Sequence, residues 1–261
     1  MEQTRELYYY FGRNEAHDYV ATPIDNVLIA GRIGTGKSVF LQSMLIRLIQ
    51  ECNPNEIKIY INDCKGTELQ MWSTPPVGRA VPHIAGMNLY SDTEEETCNR
   101  FLENFHMLWK EAAYRQQECM NRGFAKYSDI VSEGAHTIVC IIDEYQVFFE
   151  KYKEELNRQL SDIITWSNLT GVYVVMSSQS PSNALNQEVV DKFKIGICMP
   201  NVSEKTSNSV LRNNCASMDK AKYGSVWMRY NNRMPVKLYV PFYPDTWILK
   251  FIGYSSVRKG L

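Results

Sequence analysis

The chain has 261 residues, of which 44% are hydrophobic and 22% are charged, and its formal net charge is −1 at pH 7. This length and composition are typical of a globular protein with one large α/β domain and a substantial core. No apolar run approaches the roughly 20 residues of a membrane span and residues 1–7 lack a signal-peptide pattern, so we expect a cytoplasmic protein, peripheral to a membrane only through a partner.

Seven cysteines and four histidines are scattered along the chain. No two cysteines form a Cys-x-x-Cys pair, and the histidines lack the spacing of metal ligands. The sequence therefore predicts a reduced protein with neither a disulfide framework nor a zinc site.

The first 22 residues contain an aromatic segment at residues 8–12 and then become polar. We expect residues 1–22 to form an N-terminal arm or edge strand that packs on the main domain. The main domain is expected at residues 23–245, and residues 246–261 are expected to form a C-terminal tail.

A glycine-rich loop lies between a predicted strand at residues 26–30 and a predicted helix at residues 39–49. It fits the pattern Gly, four residues, Gly-Lys-Ser, and a strand–loop–helix context is the one in which this pattern binds phosphate. The glycines let backbone N–H groups turn towards an anion, and the helix N-terminus adds its partial positive charge. The expected nucleotide-binding residues are Gly31, Arg32, Ile33, Gly34, Thr35, Gly36, Lys37, Ser38 and Val39.

Two side chains of this loop have specific expected roles. Lys37 would reach the β and γ phosphates of the nucleotide, and the Ser38 hydroxyl would be a ligand of Mg²⁺. The alternative is a glycine-rich turn that matches the pattern by chance. The predicted strand and helix on either side of the loop argue against this alternative.

The next segments contain a strand, a loop and a long helix. Ile57–Asp63 is predicted as a strand, and the prolines and glycine of residues 74–78 predict a loop. Ser91 or Asp92 is expected to cap the long helix, which carries an apolar stripe at helical spacing and is expected to end near Gly123.

A second half of the candidate site follows an apolar run at residues 137–142, which predicts a strand buried on both faces. In open α/β sheets, ligands bind at the carboxyl ends of the strands. Asp143 and Glu144 lie at the carboxyl end of this predicted strand. Asp143 would hold Mg²⁺ directly or through water, and Glu144 would act as the general base towards the attacking water. A strand that ends in two solvated acids is the alternative.

The remaining elements alternate between helix and strand. A helix is predicted at residues 151–167, strands at 171–177 and 193–199, and two antiparallel strands at 225–230 and 236–240. This order predicts an α/β fold with a mostly parallel central sheet flanked by helices and a C-terminal antiparallel hairpin.

The charges are unevenly distributed. Residues 183–261 contain 12 Lys and Arg against 5 Asp and Glu, whereas residues 1–182 contain 16 against 24. Such asymmetry indicates a polyanionic partner, although a solvated surface rich in lysine is an equally good explanation.

From residue 26 to residue 240, the order of these motifs resembles the motor domain of the FtsK/SpoIIIE family of hexameric ATPases. The resemblance is carried by the loop at residues 31–38 and by Asp63-Cys64-Lys65, Pro82-His83, Asp143-Glu144-Tyr145 and Ser178-Gln179-Ser180-Pro181-Ser182. It implies a RecA-like P-loop NTPase with Walker A and Walker B motifs, the ligands ATP and Mg²⁺, and a homohexameric ring.

Gln179 is the fourth expected catalytic residue, beside Lys37, Asp143 and Glu144. An amide at the tip of the strand next to the carboxylate strand can touch the γ-phosphate or the attacking water. The alternative is a turn-forming Ser-Gln-Ser-Pro segment.

The chain departs from the family at two positions where an arginine is common. Asn168 and Asn208 stand at the corresponding places, and Arg212 is the nearest candidate for an arginine finger. An arginine supplied by a neighbouring subunit raises phosphoryl-transfer rates by roughly 10³–10⁵. The resemblance therefore implies either a displaced finger or weak hydrolysis.

The leading interpretation is an ATP-driven translocase of double-stranded DNA in plasmid, integrative-element or conjugative transfer. Lys65, Lys192 and Lys194 are its expected phosphate contacts. One alternative is a domain similar to type VII secretion ATPases, which move protein substrates. A third interpretation is an assembly subunit that binds ATP and scarcely hydrolyses it.

Overall fold

The computed structural model describes residues 5–66, 69–73, 81–90, 93–131 and 136–257. Within these ranges the strands are β1 (Tyr8–Arg13), β2 (Tyr19–Pro23), β3 (Val27–Ala30), β4 (Ile57–Asp63), β5 (Ile84–Leu89), β6 (Thr137–Asp143), β7 (Val172–Ser178), β8 (Ile195–Cys198), β9 (Ser225–Tyr230) and β10 (Val236–Tyr239). The helices are α1 (Lys37–Glu51), α2 (Glu94–Arg122), α3 (Gln146–Lys151), α4 (Lys153–Thr170), α5 (Pro181–Ala184), α6 (Gln187–Lys192), α7 (Glu204–Leu211), α8 (Cys215–Met218) and α9 (Asp245–Val257).

All of these strands belong to one sheet in the order β2-β1-β10-β9-β8-β3-β7-β6-β4-β5. The strands from β8 to β5 in this order pair in parallel, and the others pair antiparallel. Every residue of β3 and β6 is buried, because helices cover both faces of the parallel part. The predicted α/β fold with a mostly parallel sheet and a C-terminal antiparallel hairpin is confirmed.

Two apolar cores lie on the two faces of the sheet. The first contains α1, and Phe40 of this helix stacks on Phe11 of β1 with ring centroids 6.1 Å apart. The second contains α2 and α4, and Phe101 of α2 stacks on Phe148 at 5.2 Å. These cores fix α1 on one face of β3, which determines where the glycine-rich loop can lie.

The structure corrects several expected boundaries. Thr93 caps α2 by accepting a hydrogen bond from the N–H of Glu96 at 3.2 Å, in place of Ser91 or Asp92, which lie outside the described residues, as does the loop at 74–78. The helix predicted at 151–167 corresponds to α4, which begins at Lys153 and ends at Thr170, whereas the preceding α3 was not predicted. β5 was not predicted, because its sequence has a glycine and no alternation of polar and apolar residues.

The segments at both ends of the described chain pack with the main domain. Residues 8–23 form the β1–β2 hairpin, which is the edge of the same sheet. Residues 246–257, expected in a tail, belong to α9, where Ile248 and Ile252 are fully buried. No helix in the described ranges is long and apolar enough to cross a membrane.

Arg229 of β9 is a buried cation that binds backbone carbonyls. Its guanidinium donates to the carbonyl oxygens of Val210 and Phe193 at 2.9 Å and of Asn231 at 2.6 Å, and the side chain is 3% exposed. Burial lowers its pKa to about 10, so it stays charged at neutral pH. It joins the end of α7 to the start of β8 and to the β9–β10 turn.

Arg229→Met is expected to lower the free energy of unfolding by roughly 3 kcal/mol, because it leaves several buried carbonyls without a donor. Chemical denaturation measures the change. Arg122→Met is the matched control, since the Arg122 side chain is 56% exposed on α2 and should change stability by less than about 0.5 kcal/mol. Equal effects of the two substitutions would contradict the structural role of Arg229.

His83 is buried as a neutral ring. Its Nε2 lies 2.9 Å from the carbonyl oxygen of Cys52, and its Nδ1 has no hydrogen-bond partner among the described residues. Burial lowers the pKa of His83 below its ordinary value of 6.5, and nearby Lys58 adds to this shift. A proton on this ring would place a charge in the core.

The free energy of unfolding is therefore expected to decrease as the pH is lowered below 6.5. The unfolded chain takes up a proton at His83 in this range, whereas the buried ring of the folded protein does not. The His83→Gln variant, whose amide can still donate to Cys52, should lose less stability between about pH 7.5 and pH 5.5 than the parent. Denaturant titrations at both pH values test this. A pH dependence unchanged in the variant would exclude His83 as its source.

Candidate nucleotide-binding site

The glycine-rich loop lies at the carboxyl end of β3, where residues 31–36 connect the strand to α1. The N–H of Gly31 donates to the carbonyl oxygen of Ser178 in β7 at 3.1 Å. The Thr35 hydroxyl donates to the carbonyl oxygen of Arg32 at 2.7 Å and tightens the turn. The expected residues 31–39 thus comprise this loop and the first turn of α1, whose N-terminus attracts anions.

Three glycines are needed for this loop shape. Gly34 and Gly36 have φ angles of +76° and +94°, which residues with a side chain rarely adopt. A Cβ on Gly31 would lie 2.4 Å from Cγ of Met199, so this position has no room for one. Because these three positions carry no side chain, the backbone N–H groups of the loop can turn towards a phosphate without obstruction.

Lys37 is held by both predicted carboxylates. Its Nζ lies 2.7 Å from Oδ1 of Asp143 and 2.9 Å from Oε1 of Glu144, and Lys37 and Asp143 are buried. Burial alone would lower the pKa of Lys37, but the attraction and hydrogen bonds of the two carboxylates outweigh it and raise this pKa. The two carboxylates therefore supply the counter-charge of the buried Lys37 ammonium group.

The backbone of Glu144 explains how two adjacent side chains reach one ammonium group. Side chains of successive strand residues point to opposite faces of a sheet. Glu144 leaves the strand with a φ of +53°, in the left-handed region, and its N–H donates to the carbonyl oxygen of Ser177 at 2.9 Å. This turn brings the Glu144 carboxylate beside that of Asp143.

The site has the chemistry that Mg²⁺ requires. The Ser177 hydroxyl donates to Oδ1 of Asp143, while the buried Oδ2 of Asp143 has no hydrogen-bond partner among the described residues. Ser38 is the second residue of α1, half-buried, at the same edge of the sheet. Carboxylate and hydroxyl oxygens are suitable ligands for Mg²⁺, and the backbone N–H groups of the glycine-rich loop are suitable donors to a triphosphate.

Gln179 lies next to both halves of the site. It directly follows β7, which pairs with β3 on one side and with β6 on the other. Its side chain is half-buried. The position agrees with the expected contact with phosphate or water, and the role stays a prediction.

The candidate DNA contacts do not cluster. Lys65 is exposed and follows β4 at the same edge as the glycine-rich loop. Lys194 precedes β8 at the opposite edge, and its Nζ binds Oδ2 of Asp25 at 2.6 Å. Lys192 donates to the hydroxyl of Ser161 at 2.6 Å, so these two lysines are engaged within the chain.

Arg212, the candidate finger, ends α7 with a φ of +56°. Its guanidinium donates to the side chain of Asn232 and, at 3.2 Å, to the carbonyl oxygen of Asp191. The structure therefore does not bring Arg212 to the glycine-rich loop of its own chain.

Two residues near the site were missed from the sequence. Ser177 donates to Asp143 from the neighbouring strand. Tyr223 follows α8, and its Cβ lies 3.9 Å from the place that a Cβ on Gly36 would occupy. Both contacts join segments far apart in the chain, so no local pattern could have revealed them.

Comparisons with known proteins agree with this geometry. The model of the FtsK/SpoIIIE family matches residues 8–206. The DNA translocase FtsK of Leptospira interrogans is 29% identical over 167 residues, which cover 61% of this chain and 17% of that protein. The chain thus spans less than a fifth of this relative.

Two solved structures have the same fold. The cytoplasmic domain of the type VII secretion ATPase EccC from Thermomonospora curvata has a TM-score of 0.78 at 16% identity, covering 100% of this chain and 32% of that one. The pCW3 conjugation coupling protein TcpA, solved with ATPγS, has a TM-score of 0.68 at 17% identity, covering 94% and 68%. The RecA-like P-loop fold expected from the sequence is confirmed.

Proposed function

The chain belongs to the FtsK/SpoIIIE family, and from this membership we propose that it is an ATP-hydrolysing ring motor that translocates double-stranded DNA. The observation that carries the proposal is the contact of Lys37 with Asp143 and Glu144, which joins the glycine-rich loop to the two acids predicted to be catalytic. Relatives named DNA translocases and the fold of a conjugation coupling protein support the choice of DNA as cargo.

In the proposed reaction, Lys37 leaves the carboxylates and binds the β and γ phosphates of ATP. Asp143 and Ser38 would hold Mg²⁺, which would neutralise charge on the phosphates. Glu144, released from Lys37, would accept a proton from the water that Gln179 orients. The water oxygen bonds to the γ-phosphorus as the bond from this phosphorus to the bridging oxygen breaks, which releases ADP and phosphate. Each of these groups lies at the same carboxyl edge of the sheet.

We place the ATP site between subunits of a homohexameric ring. Arg212 has a side chain 42% exposed on α7 and would act as the finger on the neighbouring subunit's ATP. If it does not, hydrolysis is weak, since asparagines stand at the usual arginine positions. The ATPase domain would comprise residues 23–245, in the cytoplasm and recruited to a membrane by a partner.

The decisive experiment measures the ATPase rate with and without linear duplex DNA at low and high salt, together with the native mass of the protein with ATP. We expect duplex DNA to accelerate hydrolysis by a hexamer at low salt and to lose this effect at high salt. Heparin is the control for a general response to polyanions. No stimulation by duplex at low salt would overturn the DNA-motor proposal.

A second candidate function is the movement of protein substrates by a type VII secretion-like system. It is favoured by the similarity to EccC, which extends over the whole described fold at a TM-score of 0.78. An ATPase that responds to a helical substrate protein and not to DNA would support this alternative.

A further inference from the structure

The two ends of a bound nucleotide can be assigned to two sides of the glycine-rich loop. Lys37, Asp143 and Ser177 lie on the side of β7 and β6, so the reacting end of the triphosphate faces these strands. The other neighbour of β3 is β8, followed by β9. We therefore expect the base and ribose to leave the loop towards β8 and β9.

A loop at residues 219–224 lies on this second side. β9 begins at the carboxyl edge because it runs antiparallel to β8, and the loop connects α8 to β9 there. Tyr223 approaches Gly36, with its Cβ 3.9 Å from the position of an added glycine Cβ. Tyr223 is 74% exposed.

The loop is anchored at both ends. The Asp219 carboxylate accepts hydrogen bonds from Nε1 of Trp227 at 2.9 Å and from Nζ of Lys237 at 2.7 Å. Although burial opposes ionisation, these hydrogen bonds and one from the Ala221 N–H lower the pKa of Asp219 and keep it charged. At the other end, the carbonyl oxygen of Gly224 accepts from the N–H of Val240 at 3.0 Å.

We propose that Tyr223 is the platform on which the base of the bound nucleotide stacks. This inference rests on the proposed ATP site and assigns its base-binding part. An exposed ring on an anchored loop loses little conformational freedom when it stacks, because tyrosine has only two side-chain torsions. Stacking uses the face of the base, which is largest in purines, and does not read its hydrogen-bonding edge.

The inference separates affinity for the base from affinity for the phosphates. ATP contacts both Tyr223 and the glycine-rich loop, whereas inorganic tripolyphosphate contacts only the loop. Removal of the ring should therefore weaken ATP and leave tripolyphosphate unchanged. Stacking on an aromatic side chain stabilises a base sufficiently to change affinity by about tenfold or more.

Calorimetry of the full chain with MgATP and with magnesium tripolyphosphate tests this. Tyr223→Ala should raise the dissociation constant of ATP about tenfold and leave that of tripolyphosphate as in the parent. Tyr223→Phe, which keeps the ring, should bind ATP like the parent. Tyr114→Ala is the matched control, because Tyr114 is 56% exposed on α2, on the other face of the sheet.

Three results would overturn the inference. Unchanged ATP affinity in Tyr223→Ala would show that the ring does not touch the base. Equal weakening of ATP and tripolyphosphate would show that Tyr223 shapes the loop instead. A parent protein that binds neither compound would overturn the proposed ATP site itself, and the inference with it.

Discussion

Replacement of Lys37 by alanine is expected to lower kcat/KM for ATP by about 10²–10³-fold. Lys37 is the buried cation at the glycine-rich loop, and phosphoryl transfer depends on positive charge placed against the phosphate oxygens. An assay of phosphate release measures the loss, and calorimetry shows how much of it arises from ATP binding. Lys110→Ala, which removes an exposed lysine of α2, should behave as the parent.

The same substitution should change the protein without nucleotide. It leaves the buried Asp143 without the ammonium group that pairs with it, and loss of one partner of a buried pair costs about 3–5 kcal/mol. Lys37→Met combined with Asp143→Asn removes both charges and should restore part of this stability. A Lys37→Ala variant as stable and as active as the parent would contradict the geometry of the site.

Replacement of Glu144 by glutamine is expected to lower kcat by about 10²–10⁴-fold while ATP still binds. Glutamine has the size of glutamate and can keep the left-handed backbone, but it cannot accept a proton from water. Single-turnover measurements separate hydrolysis from ATP binding. Glu150→Gln, on the exposed side of α3, is the matched control.

An unchanged turnover in Glu144→Gln would mean that Glu144 is not the base. It would favour the interpretation as an assembly subunit that binds ATP without depending on hydrolysis. Loss of ATP binding in Glu144→Gln as well would indicate that Glu144 maintains the shape of the glycine-rich loop.

The sequence was sufficient for the parts of the site that local patterns encode. The glycine-rich loop and the acids at 143 and 144 can each be recognised from a few consecutive residues. Both follow parallel strands, whose carboxyl ends lie at the same edge of the sheet. The fold class followed from the alternation of helices and strands. The approach of Lys37 to both acids is the spatial result of these local signals.

What the sequence missed depends on tertiary contacts. The edge strand β5 pairs with β4 despite weak strand propensity, and α9 is fixed by the burial of Ile248 and Ile252. A lysine's charge alone indicates a DNA contact, yet Lys194 has a carboxylate partner in Asp25. Tyr223 meets Gly36 only because β9 folds back beside β8.

The contact of Lys37 with two carboxylates has a thermodynamic consequence for the binding of ATP. In the proposed binding mode the ammonium group turns to the phosphates and both acids lose their counter-charge, so ATP without a metal ion should be repelled. A divalent ion bound at the same time would restore neutrality. We therefore expect metal and nucleotide to bind cooperatively, each tightening the binding of the other by the same factor.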